Sequence, residues 1–352
     1  MEASEERAAT PARGVRRGPV TLRTIAELAG VHVTTVSRVL APPAQAVRTS
    51  SPETAQRIRE IAAELGYRAD PHGRALRTNR SRLVGVLVPR LADLVLATIY
   101  EGIEDAAGRS GYSTFVTNSQ DDVERRADRT DMLLARRVDG VILGDAPVDG
   151  SSLTRLVERG TPYVLVSRRS PGHPSVTCDD VTGGRLVAEH LLELGHRDVA
   201  VVAGEPYTST GLDRTGGFLA AFAAAGFPVP AHRVRTSGFD VPGGRAAAEL
   251  LFAHGTLPTA VFAVNDFAAI GVMGAVRDRG LTVGRDVSVA GFNDVPLAAE
   301  LPVALTTVRS PMHEMGRRGF ALLLARLEGR EVSSELLTPQ LLARASTGPA
   351  PR

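Results

Sequence analysis

The residues of this sequence that could do chemistry are few, and none of them is spaced for catalysis. Asp179 and Asp180 could pass for an acid–base pair, but adjacent carboxylates on a strand or loop point apart. Cys178, the only cysteine, is better interpreted as a small packed residue than as a nucleophile. His190 and His196 could bind a metal ion, but capping and packing roles fit this pair better. We therefore expect neither an enzyme nor a metal site.

Motifs for nucleotide binding and hydrolysis are also missing from the sequence. The chain contains no lysine, which excludes the phosphate-binding Gly-x-x-x-x-Gly-Lys loop. It has neither the His-Glu-x-x-His pattern of a zinc protease nor the Gly-x-Ser-x-Gly turn of a serine hydrolase. We expect no cofactor.

The arginine residues are distributed unevenly along the chain. Residues 7–80 contain 13 Arg and five acidic residues, a balance of +8, so the remaining chain must carry −6 to give the net charge of +2. A basic segment attached to an acidic body indicates a polyanionic partner for the first 80 residues. A genome rich in Arg codons would explain the missing lysine, although guanidinium groups do suit paired contacts to phosphate and guanine.

Three short helices are predicted within the basic segment. The first has Thr21 as its N-cap, and the second covers about residues 33–40 after a tight glycine turn. The third begins at Ser51, which precedes a proline, and ends at Gly66. Two helices joined by such a turn and followed by a third form a helix-turn-helix unit.

From residue 83 onward, strand-like runs alternate with amphipathic helices. Examples of these runs are Leu83–Val88, Val138–Leu143 and Val199–Val202. The alternation predicts parallel sheets with helices on both faces. About ten such units are too many for one comfortable sheet, so we expect two similar lobes with a ligand cleft at the carboxyl ends of their strands.

Length and composition narrow the class of protein further. The chain of 352 residues is long enough for two or three domains. It contains no apolar run of the roughly 18–20 residues that a membrane helix needs, and its amino terminus lacks the apolar core of a signal peptide. With a single cysteine, a disulfide framework is excluded. We expect a cytoplasmic protein with no membrane partner.

Nine short motifs follow one another along the chain. They are VTLRTIAELAGV at 20–31, TVSRVL at 35–40, ELGYR at 64–68, RALRT at 74–78, RVDGVIL at 137–143, HLLELGH at 190–196, AVND at 263–266, VAGF at 289–292 and LTTV at 305–308. In this order they resemble the lac repressor/galactose repressor (LacI/GalR) family of transcriptional regulators. The resemblance extends from residue 20 to about residue 345.

The resemblance implies that residues 33–40 form a recognition helix that lies in the major groove of DNA. Arg38 would pair with a guanine edge, and the methyl groups of Val33 and Thr34 would touch a thymine methyl. The alternatives are a core position for Val33 and a solvated surface charge for Arg38. The residues expected to contact phosphates, which position the protein without specifying sequence, are Thr21, Leu22, Thr35 and Ser37.

Two features depart from the family pattern in this region. His32 stands where relatives usually have a serine that caps the recognition helix. Because imidazole caps less well, either the helix frays or His32 contacts a phosphate. The linker over residues 41–50 is longer than usual and contains two prolines.

Residues 69–80 resemble the family's hinge, a short helix that folds only on DNA. The resemblance implies that Leu76 wedges between two base pairs in the minor groove and kinks the duplex. Gly73 replaces the usual alanine, which weakens helix propensity by roughly 1 kcal/mol and makes the hinge easier to melt. The alternative is an inert linker with a stray leucine.

The match is weakest around the expected ligand. Asp93 begins the run Asp-Leu-Val-Leu where many relatives have Asn-Pro-Phe-Phe, so an aromatic that packs on the ligand is missing. The resemblance implies ligand contacts by Arg214, Phe239 and Asn265, and by Asn293 at a position where many relatives have Asp. We expect these five residues to converge on the cleft and to bind a small polar effector that bears hydroxyls or a carboxylate, such as a sugar or a related metabolite.

The expected fold class is α/β, with an N-terminal all-α helix-turn-helix head and a two-lobed, periplasmic-binding-protein-like body of parallel sheets flanked by helices. The expected boundaries are a disordered arm at 1–19, the head at 20–68, the hinge at 69–80, the body at 81–347 and a frayed tail at 348–352. Within the body we expect a first lobe at about 81–180 plus 309–330 and a second lobe at about 181–308 plus 331–347.

The expected function is that of a sequence-specific DNA-binding regulator, most simply a repressor controlled by the effector. Two-fold symmetry predicts a homodimer on a near-palindromic operator. No leucine heptads follow residue 330, so a four-chain assembly is not expected. The alternative is a two-lobed solute-binding protein with the same body, but the missing signal peptide and the presence of residues 20–78 favour the regulator.

Overall fold

The computed structural model describes residues 20–40, 50–67, 80–253 and 256–351. The chain divides into two compact units, a head up to Ser81 and a body from Arg82 onward. The expectations for the arm at 1–19, for most of the 41–50 linker and for the hinge with Leu76 fall outside the described residues.

The head contains three helices. They are α1 (Leu22–Ala29), α2 (Val33–Val39) and α3 (Pro52–Glu64). Ile25 of α1, Val36 of α2 and Ile58 of α3 are fully buried and meet in one small core. Gly30 makes the turn between α1 and α2 at a φ of +67°, a left-handed conformation that glycine adopts without strain.

The first lobe of the body is built on a six-stranded sheet in which every pairing is parallel. Its strands are β1 (Leu83–Val88), β2 (Ser113–Asn118), β3 (Gly140–Leu143), β4 (Tyr163–Val166), β5 (Ser175–Cys178) and β11 (Glu335–Leu337), in the order β11-β5-β4-β3-β1-β2. The helices packed in this lobe are α4 (Leu94–Arg109), α5 (Val123–Ala135), α6 (Thr154–Glu158), which follows a 3-10 turn at Ser151–Leu153, and α12 (Met312–Leu327).

The second lobe is built on a four-stranded parallel sheet. Its strands are β6 (Val199–Ala203), β7 (Val234–Thr236), β8 (Ala260–Ala263) and β9 (Ser288–Ala290), in the order β7-β6-β8-β9. Its helices are α7 (Asp180–Glu193), α8 (Ser209–Ala224), α9 (Val241–Ala253), α10 (Asp266–Asp278) and α11 (Leu297–Glu300), with a 3-10 turn at Ala231–Arg233. A separate antiparallel pair joins β10 (Thr307–Arg309) and β12 (Gln340–Leu342).

Burial explains why the strands read as continuous apolar runs. In β1, Val84, Val86 and Leu87 are all fully buried although successive side chains point to opposite faces. Both faces of the sheet are therefore covered, as is usual for parallel sheets flanked by helices. Val86 lies in register with Val116 of β2 and with Ile142 of β3, which places β1 inside the sheet.

The chain passes between the two lobes after β5, after β10 and after β11. The expected boundary needs one correction, because residues 335–337 pair with β5 and so belong to the first lobe rather than to the second. The chain returns to the second lobe only at β12, which pairs with β10.

The expectation of a frayed tail is wrong for residues 348–350. The ring of His196, through Nε2, lies 3.0 Å from the carbonyl oxygen of Gly348. The backbone amide of Ala350 donates to the carbonyl of Leu194 at 2.9 Å. These bonds fix the end of the described chain on the second lobe. Among the described helices, none combines the length and the apolar character needed to cross a bilayer.

Candidate functional site

The exposed side of α2 carries the residues that the sequence assigns to base contacts. Thr34 and Arg38 are exposed, and Val33 keeps 37% of its surface accessible. A core role for Val33 is not what the fold provides, since Val36 fills the core from this helix. The residues assigned to phosphate contacts are exposed or half-buried; they are Thr21, Leu22, Thr35 and Ser37.

His32 is the N-cap of α2. Its Nδ1 accepts a hydrogen bond from the backbone amide of Thr34 at 3.4 Å and lies 2.9 Å from the hydroxyl of the same residue. The imidazole therefore takes over the capping role, and α2 begins at Val33. Thr21 and Thr24 cap α1 reciprocally, and the first turn of that helix holds no acidic side chain that would repel a phosphate.

The body contains a cavity of about 530 Å³ between its two lobes. It lies at the carboxyl ends of strands from both sheets, where open α/β sheets bind ligands. Asp93 comes from the first lobe and faces residues of the second. All five effector residues predicted from the sequence line this cavity: Asp93, Arg214, Phe239, Asn265 and Asn293.

Asn265 is held at both ends of its side-chain amide. It caps α10 by accepting from the backbone amide of Ala268 at 2.8 Å, and its Nδ2 donates to the carbonyl oxygen of Phe239 at 2.8 Å. Asn265 thus fixes the loop that carries Phe239. Asn265 also lines the cavity itself.

Asn293 follows β9 and has a strained backbone, with a φ of +113°. Its Oδ1 is buried without a hydrogen-bond partner among the described residues. Asp266 holds this loop, because its carboxylate accepts from the amide of Val295 at 2.8 Å and from the hydroxyl of Thr307 at 2.5 Å. Burial raises the pKa of Asp266 to about 7. Backbone strain and an unsatisfied buried acceptor are typical of binding sites.

Arg214 projects from α8 and is only 5% exposed. Its Nε donates to Asp180 at 2.8 Å, and its Nη1 donates to the carbonyl of Val264 at 2.8 Å. The centroid of the Phe292 ring lies 3.8 Å from the Cζ of Arg214. Burial raises the pKa of Asp180 to about 6, even though Arg214 lowers it. The helices α7 and α8 approach so closely that a Cβ on Gly184 would lie 2.1 Å from the Arg214 carbonyl oxygen.

The first lobe contributes a second buried arginine that sequence reasoning missed. The two amino groups of Arg168 donate to the two carboxylate oxygens of Asp121 at 2.6 and 2.8 Å. Arg168 follows β4 and Asp121 follows β2. The sequence signal that could have revealed this pair is a charged residue placed just after a buried strand. Asp93 caps α4 by accepting from the amide of Val95 at 2.9 Å, and burial raises its pKa.

Several contacts join the two lobes around the cavity. Arg169 of the first lobe makes a two-point ion pair with Asp213 of α8, at 2.9 and 2.7 Å. Arg90 lies 3.8 Å from Asp240 across the cavity, and both are largely exposed. Because Asp213 and Arg214 are neighbours on α8, the same helix carries an interlobe ion pair and a cavity arginine.

The residues considered for metal binding have other partners. His190 lies 2.9 Å from the hydroxyl of Thr347, and His196 lies 3.0 Å from the hydroxyl of Thr259. Cys178 is buried. In the part of the chain that the structure describes, no group of three or more metal-ligating side chains comes together.

Known proteins share these features. Residues 21–70 match the model of bacterial regulatory proteins of the lacI family, and residues 188–347 match the periplasmic binding protein-like domain. The transcriptional repressor PurR of Pasteurella multocida is 30% identical over 331 residues, which cover 93% of this chain and 98% of the relative.

Solved structures agree with this assignment. The lac repressor dimer bound to operator and the anti-inducer ONPF matches with a TM-score of 0.86 at 29% identity, covering 94% of this chain and 100% of that one. The complex of the transcriptional regulator CelR with cellobiose matches with a TM-score of 0.71 at 30% identity, covering 93% and 99% of the two chains. The chain is therefore not an enzyme, and it belongs to the LacI family of bacterial regulatory proteins.

Proposed function

We propose that this protein is a sequence-specific transcriptional repressor whose hold on DNA is set by a small polar molecule bound in the cavity. The observation that carries the proposal is the presence in one chain of an exposed recognition surface on α2 and of a ligand-sized cavity in the body. A volume of about 530 Å³ lies within the range of small-molecule sites.

On the DNA side, α2 enters the major groove. Arg38 pairs with a guanine edge, and the methyl groups of Val33 and Thr34 meet a thymine methyl. His32 keeps the first turn of α2 ordered, which supports the placement of Val33 and Thr34. Leu76 acts as a wedge in the minor groove, so Leu76→Ala lowers specific affinity by a few kcal/mol and leaves non-specific binding almost intact.

The assembly is a homodimer on a near-palindromic operator in the cytoplasm, where the chromosome is. A single three-helix head buries little DNA surface, and a two-fold axis supplies the second half-site. The related lac repressor is described as a dimer on its operator. Light scattering at micromolar concentration is expected to give the mass of two chains, and a monomer or a tetramer would contradict this assembly.

The experiment that tests the function is a selection of genomic DNA fragments on the immobilised full chain. We expect one near-palindromic motif to be enriched and to be lost with Arg38→Ala, whereas a neighbouring exposed change, Arg23→Ala, should retain it. The genes beside the enriched sites then indicate which metabolites to test as effectors. If no motif is enriched while small molecules still bind, the protein is a solute-binding protein and the proposal fails.

A further inference from the structure

We infer that the cavity discriminates against anionic effectors, because both of its buried arginines are already neutralised by carboxylates of the same lobe. Asp180 does this for Arg214, and Asp121 does it for Arg168. Asp180 is thereby a specificity-determining residue although it does not line the cavity itself. The inference rests on the proposed function and narrows the class of the effector.

The surroundings of Arg214 leave little of its charge for a ligand. The carboxylate of Asp180, itself 5% exposed, holds Nε, and the carbonyl of Val264 holds Nη1. Phe292 covers one face of the guanidinium. Nη2 has no hydrogen bond to a described residue, so Arg214 keeps N–H donors for a ligand but presents them from a pair whose net charge is zero. A hydroxyl suits such a donor, whereas a carboxylate or phosphate would need an unbalanced cation.

The first lobe is balanced in the same way. Asp121 accepts from both amino groups of Arg168 and lies 3.3 Å from Arg126, which also donates to the buried Asp145 at 2.8 Å. Two arginines thus face two carboxylates. A ligand anion that approached Arg168 would have to displace a two-point ion pair, and such pairs have the strongest geometry among charged hydrogen bonds.

The remaining charged groups that line the cavity are mainly acidic. Asp93, Glu205 and Asp240 carry formal negative charges, and Arg90 is the remaining cation of the lining, on an exposed side chain close to Asp240. Oδ1 of Asn293, which has no hydrogen-bond partner among the described residues, is a further acceptor. The cavity therefore offers more acceptors than free cations, and the effector is an uncharged or cationic molecule rich in hydrogen-bond donors. We therefore retain the sequence-based expectation of an effector that bears hydroxyls and withdraw the expectation of one that bears a carboxylate.

The test removes one negative charge below the cavity and asks whether an anion then binds. Asp180→Asn keeps an acceptor for Nε of Arg214 but leaves the guanidinium unbalanced. Sulfate, titrated against chloride at constant ionic strength, is the probe, and calorimetry and the thermal midpoint of the full chain are the measurements. We expect saturable sulfate binding at least about tenfold tighter than in the wild type, as for a hydrogen bond to a charged group, and its loss in Asp180→Asn/Arg214→Gln.

Asp179→Asn is the matched control. It removes the same charge one residue away, and Asn caps α7 as well as Asp does. This variant should behave like the wild type towards sulfate. If Asp180→Asn does not fold, the same comparison is made in the first lobe. Asp121→Asn is then compared with Asp121→Asn/Arg168→Gln.

Two results would overturn the inference. One is saturable sulfate binding to the wild type that Arg214→Gln removes, because Arg214 would then be a free cation. The other is a folded Asp180→Asn variant with no gain in sulfate affinity. Neither measurement uses DNA, so a failed operator selection with a positive sulfate result would remove the repressor role and leave the charge balance intact.

Discussion

The recognition surface of α2 and the cavity of the body hold their functional side chains in opposite ways. Thr34 and Arg38 project from α2 into solvent. Arg214 and Arg168 are each only 5% exposed and are bonded to carboxylates of their own lobes. A surface that meets a charged polymer keeps its donors available, whereas a cavity that selects a small molecule fixes its groups before the ligand arrives.

This difference predicts how each region responds to substitution and to salt. An exposed side chain can be removed with little effect on the folded state, so its loss reports on binding alone. A buried, paired side chain supports the fold, so its loss changes binding and stability together. The following changes separate the two regions.

Salt should produce the largest contrast. Arginine contacts to phosphates release counterions, so operator affinity should fall steeply, by about 10³–10⁵ between roughly 50 and 200 mM salt if 6–10 phosphates are contacted. Binding of an uncharged effector to the cavity should change by less than about twofold, because paired, buried charges are screened much less. Anisotropy titrations of both ligands check this. Equal salt slopes would mean that the cavity binds its ligand through unpaired charges.

Arg214→Ala should be the most destabilising of the arginine substitutions. It leaves Asp180 buried without its partner, and breaking such a pair lowers the free energy of unfolding by about 3–5 kcal/mol. Arg38→Ala should change it by no more than about 0.5 kcal/mol. Arg317→Ala, which removes an exposed pair with Glu314, is the control within the body and should have a similarly small effect. Urea unfolding that gave equal losses for all three would contradict the distinction.

Asp266 should make the stability of the body depend on pH. Its pKa is about 7 in the folded protein, because burial and the charge of Asp294 raise it above the ordinary 3.8, while hydrogen bonds from Thr307 and Val295 and the charge of Arg214 lower it in part. Because the folded state binds the proton more tightly, this group stabilises the fold at about pH 4 and loses that contribution as pH rises towards 7. Thermal unfolding from pH 4 to 8 should show this decline in the wild type and a flatter profile in Asp266→Asn. A parallel profile in the variant would assign the decline to other groups.

The cap of α2 should give the smallest effect. His32→Ala removes the acceptor for the Thr34 amide, and loss of an N-cap costs about 1 kcal/mol of helix stability. Since the proposed entry of α2 into the groove requires an ordered helix, operator affinity should fall about fivefold, while His32→Ser should preserve it. If His32→Ser binds as weakly as His32→Ala, the imidazole contacts the DNA instead of capping.

Local signals were enough to predict the elements of the head. Thr21, Gly30 and Ser51 mark helix ends through capping and turn chemistry that acts within three or four residues, and the helices begin and end where these residues indicated. In the body, alternating strands and helices predicted the two parallel sheets. The five effector residues predicted from the family resemblance also line one cavity.

What the sequence did not reveal are pairings over long distances in the chain. Asp180 and Arg214 are 34 residues apart, and Asp121 and Arg168 are 47 apart. Such pairs form only where helices and loops from different strands meet, and no local pattern encodes them. The contact between the end of the described chain and the second lobe was missed for the same reason, because His196 and Gly348 are 152 residues apart.

The most direct test of the repressor role is the affinity of the full chain for the selected operator and for a shuffled sequence of the same composition. At about 150 mM salt, the operator should bind at least about 10³-fold more tightly. Arg38→Ala should reduce operator binding by about 1–3 kcal/mol and leave the shuffled sequence nearly unchanged. Equal affinities for the two sequences, or equal losses on both with Arg38→Ala, would contradict sequence-specific recognition by α2.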